Sequence, residues 1–257
     1  MLIMTENKIK YKNQNEKQLY LTVVIPCLNE SKNICQAIDT VNNLISNVDA
    51  EILVIDDKSD DETYEIAKKH IQINKYNNVR IITRDLERRG YGAVIKYAMA
   101  VSNAKFMLLY SADMVDPIHL LPRMLDYTQD FDLVQVSRYL DEKDSESIPF
   151  TYKFYQFFYR IFVRVALGEK IKDSTYAFKL FNRSKVLALG ISSSRFSISP
   201  EILFKALLSG YKVKFIRGSQ TVRKKGESKF NFWNEGPGFT NCLIRSFLHR
   251  KKIAFWF

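Results

Sequence analysis

Five short apolar runs punctuate the first half of the chain: LTVVIP (21–26), EILVID (51–56), VRIIT (79–83), KFMLLY (105–110) and DLVQVS (132–137). Each is rich in Val, Ile and Leu, which predicts strands buried on both faces. Apolar residues at helical spacing fill the intervals and predict helices from Ser31 to Ser46, Asp61 to Ile73 and Tyr91 to Val101. Asp116 and Pro117 open a shorter helix, with Asp116 as its N-cap and Pro117 at the first helical position. Strands alternating with helices predict the α/β class, a mostly parallel sheet flanked by helices.

Ligands of such sheets bind at the carboxyl ends of the strands, so the residues just past each run are the candidate site. They are Pro26 to Glu30, Asp56 to Asp61, Ser111 to Asp113, and Ser137-Arg138. Asp60, Asp61 and Asp116 are read as caps and turn formers, the commoner fate of a lone Asp in a loop. Asp57 and Asp113 are read as site residues.

The pattern changes at IPFTYKFYQFFYRIFVRVALG (148–168). Phe150, Phe154, Phe157, Phe158, Ile161 and Val165 share one helical face, Lys153, Arg160 and Arg164 lie largely on another, and Tyr152, Tyr155 and Tyr159 fill the flanks. Tyrosines beside arginines suit a helix lying in a bilayer interface, while a helix packed on the domain core is an equally ready reading. Residues 231–257 repeat the theme with aromatics and an HRKK run, and are expected to form a basic, aromatic membrane-surface segment.

Charge sharpens this picture. The net charge is +11, and from Tyr211 to Phe257 eleven Lys and Arg face two acids, so an anionic partner is expected there. Nucleic acid would account for the charge but not for acidic strand tips, which repel phosphate, so it is not expected as a partner. The chain has 257 residues, 46% of them apolar, enough for a substantial core. Its three cysteines, Cys27, Cys35 and Cys242, form no C-x-x-C pair, which argues against a disulfide framework or structural zinc and fits a reducing, cytosolic setting. His70, His119 and His249 form no metal-binding spacing. Residues 1–18 read as a polar arm rather than a signal peptide, and no apolar stretch is long enough to span a bilayer.

The motifs VVIPCLNE (23–30), VIDDKSDD (54–61), RRGYGAVIKYAMAVSNAKFMLLYSAD (88–113), VSRY (136–139), DSTYAFKLFNR (173–183) and RKKGESKF (223–230) occur in this order. Together they resemble family 2 glycosyltransferases of the GT-A fold, within them the dolichol-phosphate mannose synthase and polyprenyl-phosphate glycosyltransferase group. The resemblance implies a Rossmann-like GT-A domain over residues 19–230, with 148–168 as an amphipathic interfacial helix. It implies an inverting transfer of sugar from a nucleotide-diphosphate sugar to a polyprenyl phosphate at the cytoplasmic face of a membrane, and leaves a membrane-protein partner open. Pro26, Leu28 and Glu30 would form the first edge of the nucleotide site, with Ile55 beside them and Asp57 reading the base. Ser111, Ala112 and Asp113 stand in the place of the D-x-D motif, with Asp113 as the ligand of a divalent cation, Mg or Mn. Arg138, Arg223 and Lys229 would hold phosphates, and Asp173 would line the acceptor side.

The departures bear on mechanism. Ser111 replaces a carboxylate, at a cost on the order of 1 kcal/mol in donor binding. Val115 stands where a further metal ligand is frequent. Either the metal is held weakly, mainly through the diphosphate, or Arg223, Lys224, Lys225 and Lys229 do part of its work. A lipid phosphate is already anionic and needs no base, whereas a sugar hydroxyl acceptor would need one, for which Asp173 is the candidate. A relative whose metal site has decayed, binding without transfer, is the remaining alternative.

Overall fold

The computed structural model describes residues 18–84, 89–141, 148, 150–223 and 232–257. The five predicted strands form within one residue of the expected bounds: β1 (Leu21–Cys27), β2 (Ala50–Asp56), β3 (Val79–Thr83), β4 (Phe106–Leu109) and β5 (Leu133–Ser137). Two more strands, β6 (Lys179–Asn182) and β7 (Val213–Arg217), complete a seven-stranded sheet in the order β3-β2-β1-β4-β6-β5-β7. Every pairing is parallel except those of β6, which runs against both β4 and β5.

Helices α1 (Ile34–Leu44), α2 (Thr63–Ile73) and α3 (Tyr91–Val101) follow the first three strands, and α4 (Leu121–Asp126) follows β4. The first strands read as unbroken apolar runs because both sheet faces are covered. Val23 and Ile25 of β1 pack with Ile34, Ile38 and Val41 of α1 on one face, while Val24 packs with Leu53, Ile55 and α3 on the other. Each such side chain contributes about 1.5–3 kcal/mol on burial.

The chain after β4 departs from expectation. Asp116 does not cap a helix; its carboxylate turns back to accept the Ser111 N–H at 2.9 Å, and the first turn is a 3-10 segment, Ile118–Leu120, before α4. A backbone donor at the β4 tip outcompetes the helix end for this carboxylate.

α5 (Phe150–Leu167) lies where the aromatic helix was expected, and α6 (Arg183–Ala188), α7 (Ile198–Leu208) and α8 (Phe232–Arg250) follow. α5 buries Val163, Ala166 and Leu167 and leaves Phe150 (79%), Phe154 (52%) and Phe157 (55%) exposed. It packs along α8, with the Tyr159 and Phe239 rings 6.1 Å apart. Within residues 232–257, α8 packs on α5 and α7 and buries Cys242 in the core cluster on the α3 face. Beyond α8 the chain folds back, placing the Trp256 and Phe257 rings 5.0 and 5.2 Å from Lys205 Nζ, with His249 stacked on Phe257 at 4.6 Å. Among the described residues no helix is long and apolar enough to cross a membrane.

Candidate active site

The tips of β1 and β2 are stitched together before they meet any ligand. Asn29 N–H donates to Ser59 Oγ (2.9 Å), the Asp60 N–H donates to Asn29 Oδ1 (2.8 Å), and Glu30 N–H donates to Thr63 Oγ1 (2.8 Å). Asn29, Lys58 and Met114 adopt positive φ of 57°, 62° and 58°, turning three strand tips sharply. Asp61 acts as the expected turn former, its carboxylate accepting the Thr63 N–H at 3.0 Å just ahead of α2, whose N-cap position is Glu62. These turns leave a cleft of about 720 Å³ at the carboxyl edge of the sheet, lined among others by Pro26, Leu28, Glu30, Asp57, Ser111, Ala112, Asp113 and Arg223.

Arg223 ties one end of the cleft together. Its Nη2 lies 2.7 Å from Glu30 Oε1 and its Nη1 3.2 Å from Asp113 Oδ2. The segment before it is anchored by the Thr221 N–H to the Val115 carbonyl (2.9 Å), so Val115 contributes its backbone to the site. Two carboxylates from different strand tips thus converge on one cation, and a dication could take Asp113 there with substrate oxygens as its other ligands. Among the described residues no three His, Cys, Asp or Glu side chains are grouped as a metal site of their own. Asp116, buried behind Ser111, has its pKa pushed up to about 6 by burial, only partly offset by the Ser111 N–H. Lys229, with Lys224 and Lys225, lies outside the described residues.

At the β2 tip, Asp57 is buried and is held by a partner the sequence did not reveal. Arg84 Nε donates to its Oδ1 at 3.0 Å, Arg84 Nη2 donates to the same oxygen, and the Gly90 N–H donates to Oδ2 at 2.8 Å. Gly90 and Gly92 of the RRGYG stretch let segment 193–195 approach α3. A Cβ on Gly92 would stand 2.7 Å from both the Ser193 and Arg195 carbonyl oxygens, and one on Gly90, where φ is 125°, would stand 2.6 Å from that of Ser194. In return the Ala93 N–H at the start of α3 finds the Ser194 carbonyl at 3.0 Å. Tyr91 stacks on Phe196 at 5.0 Å, and Glu235 of α8 fixes that segment by accepting from Arg195 Nε (3.0 Å) and the Phe196 N–H (3.1 Å). Arg89, Tyr91, Arg195, Phe196 and Glu235 all line the cleft. Of these only Arg89 and Tyr91 stood in a motif; the SSSRF stretch and the lone Glu235 carry no periodicity or spacing that marks them.

Three expected site residues lie elsewhere. Ile55 is fully buried in the core on the α3 face, because a residue two before the tip still points into the sheet packing. Arg138 lines not the cleft but a neighbouring apolar groove of about 740 Å³ between α5 and α8. Asp173 is fully buried beneath it and cannot meet an acceptor as a base. Its carboxylate accepts Arg138 Nε (2.8 Å), Nη2 (3.1 Å) and the Arg138 N–H (3.1 Å), while its carbonyl accepts Gln135 Nε2 (2.8 Å). Burial alone would lower the Arg138 pKa, but the Asp173 carboxylate outweighs it and raises it. The guanidinium also lies 4.3 Å from the Tyr176 ring centroid, facing the groove as a fixed cation. Phe196 lines both groove and cleft and forms the partition between them.

Residues 22–190 match the sequence profile described as glycosyl transferase family 2. The chain belongs to that family. The family 2 chain is 28% identical over 212 residues to the dolichol-phosphate mannosyltransferase of Pyrococcus furiosus, covering 81% of this chain and 58% of that protein. It is 25% identical over 219 residues to the dolichyl-phosphate beta-glucosyltransferase of Dictyostelium discoideum, covering 79% and 65%. The chain thus spans less than two thirds of the length of these curated relatives. Its fold is that of GT-A glycosyltransferases. It matches mannosyl-3-phosphoglycerate synthase from Rubrobacter xylanophilus with a TM-score of 0.70 at 15% identity, covering 92% of this chain and 76% of that one. It matches glucosyl-3-phosphoglycerate synthase from Mycobacterium tuberculosis, solved with Mn2+, UDP and glucosyl-3-phosphoglycerate, with a TM-score of 0.64 at 17% identity, covering 93% and 82%.

Proposed function

We propose that this family 2 chain transfers a sugar, with inversion, from a nucleotide-diphosphate sugar to a polyprenyl phosphate of the dolichyl type. The observation that carries the reading is the pairing of two compartments across Phe196: a cleft of carboxylates and Arg223, and an apolar groove with Arg138 set in its wall. An apolar tail with an anionic head fits the groove, its phosphate drawn to Arg138 by a charge-assisted pair. Transfer breaks the bond from the anomeric carbon to the diphosphate and forms one to a phosphate oxygen of the lipid. The lipid phosphate brings no proton that must be removed, which suits a site where Asp173 is spent on Arg138. This favours a phosphate acceptor over a sugar hydroxyl.

The diphosphate leaves with developing charge, for which Arg223 is placed. A divalent cation, which solved relatives of this fold hold with UDP, would supply Lewis-acid stabilisation there, with Asp113 as its protein ligand. The exposed aromatic face of α5 and the basic residues of α8 support a peripheral position on the cytoplasmic face of a membrane.

The test is transfer from labelled nucleotide sugars, with Mg2+ or Mn2+, to polyprenyl phosphate and to polyprenol of the same length. Labelled lipid is expected from the phosphate alone. Transfer to the alcohol, or to neither, overturns the reading.

A further inference from the structure

Cleft and groove share a single side chain among the described residues, that of Phe196. Its ring stacks on Tyr91, which faces the cleft alone, with 6° between the planes. The backbone that carries the ring is fixed from both flanks by buried carboxylates. Glu201 of α7 accepts the Ser192 (2.9 Å) and Ser193 (2.7 Å) N–H groups, and Glu235 of α8 accepts Arg195 Nε and the Phe196 N–H. Glu235 is followed by Gly236, which lines the groove, so one helix carries both the groove wall and the hold on Phe196.

The reading proposed above, on which this step rests, sets the leaving diphosphate at Arg223 and Asp113 and the acceptor phosphate at Arg138. Inversion needs the attacking and leaving oxygens on opposite sides of the anomeric carbon, which puts that carbon at the boundary Phe196 forms. Water reaching the same carbon would break the same bond to the diphosphate, form a bond from its own oxygen, and lose a proton to solvent. The product would be free sugar. We propose that Phe196 selects the nucleophile: its ring shields the groove side of the anomeric carbon from water, so that an oxygen fixed by Arg138 is the one that attacks. Glu235 acts through it as a positioning residue, holding the ring at the boundary by its backbone N–H.

The test uses the intact protein in Mg2+ with radiolabelled UDP-glucose and GDP-mannose at saturation. Free-sugar release is measured without lipid, and glycosyl lipid is measured with saturating polyprenyl phosphate. Phe196→Ala, shown folded by circular dichroism, is expected to release free sugar about tenfold faster than the wild type or more, Phe196→Tyr to release it at the wild-type rate, and Glu235→Gln to fall between them. A merely structural loss would lower both products and leave release no faster. Release by Phe196→Ala at or below the wild-type rate overturns the inference, and so does Phe196→Tyr leaking like Phe196→Ala, since the ring would then not be the barrier. Release by Glu235→Gln at the wild-type rate removes Glu235 from the account. A wild type that makes no glycosyl lipid from either donor overturns the transfer reading instead, which the release rates without lipid do not decide.

Discussion

Asp173 bears on the groove only through Arg138. The carboxylate receives three donors from one arginine and is itself sealed from solvent. Asp173→Asn is expected to destabilise the fold by about 3 kcal/mol in urea unfolding, because it leaves a buried cation half-matched. It should also raise KM for the lipid phosphate more than it lowers kcat. Asp113→Ala, by contrast, should leave stability nearly unchanged and abolish the Mn2+ stimulation of transfer, which an assay with and without the ion reads directly. Lys179 gives a third expectation. Burial pushes its pKa down to about 7, with Asp173 pulling the other way, while its ammonium donates to the Ser199 carbonyl (2.7 Å) and Oγ (2.9 Å). The unfolded lysine stays protonated to about 10.4, so between these values the unfolded chain binds more protons and stability rises with pH. The urea midpoint should increase from pH 7 to pH 9.5, and Lys179→Met should flatten that rise.

At the scale of elements, the periodicity of the sequence was sufficient wherever one segment made its own pattern. β1 to β5 and α1 to α3 were legible because uninterrupted apolar runs and amphipathic spacing reflect local burial alone. β6 and β7 were not: KLFN is four residues long, and VKFIR is an edge strand only partly buried, so neither run stands out from its flanks. α3 shows what spacing could not reveal, since its glycines answer to a segment about a hundred positions later. Gly92→Ala forces a Cβ onto two carbonyl oxygens and should cost about 1–3 kcal/mol in unfolding free energy, while shifting the Tyr91 and Phe196 stack. For α5, changing Phe150, Phe154 and Phe157 together to Ser should leave unfolding within about 0.5 kcal/mol per site, because these rings are exposed. Co-sedimentation with anionic vesicles should nonetheless fall, and retention at the wild-type level would exclude the aromatic face as the membrane contact.

For the whole molecule, the strand-tip rule located the cleft but could not divide it. Pro26, Glu30, Asp57 and Asp113 were legible as tip residues, yet their partners, Arg84 just past β3 and Arg223 past β7, meet them only in the completed sheet. The same holds for Arg138, a tip residue that faces the groove because Asp173 draws it there.

The reversed strand β6 has a consequence for how this chain tolerates change. Its neighbours leave the sheet at the edge bearing the cleft, whereas β6 enters there, so Asp173 to Tyr176 reach that edge from the incoming side. Its exit lies at the far edge, where the Arg183 N–H meets the Lys105 carbonyl at 3.0 Å just before β4 begins. Length variation is thus asymmetric about four residues. A residue deleted between Gly168 and Asp173 would drag on Arg138 and Lys179 alike, while a change at the far-edge exit acts first on the Arg183 bond to Lys105, and neither residue lines either compartment.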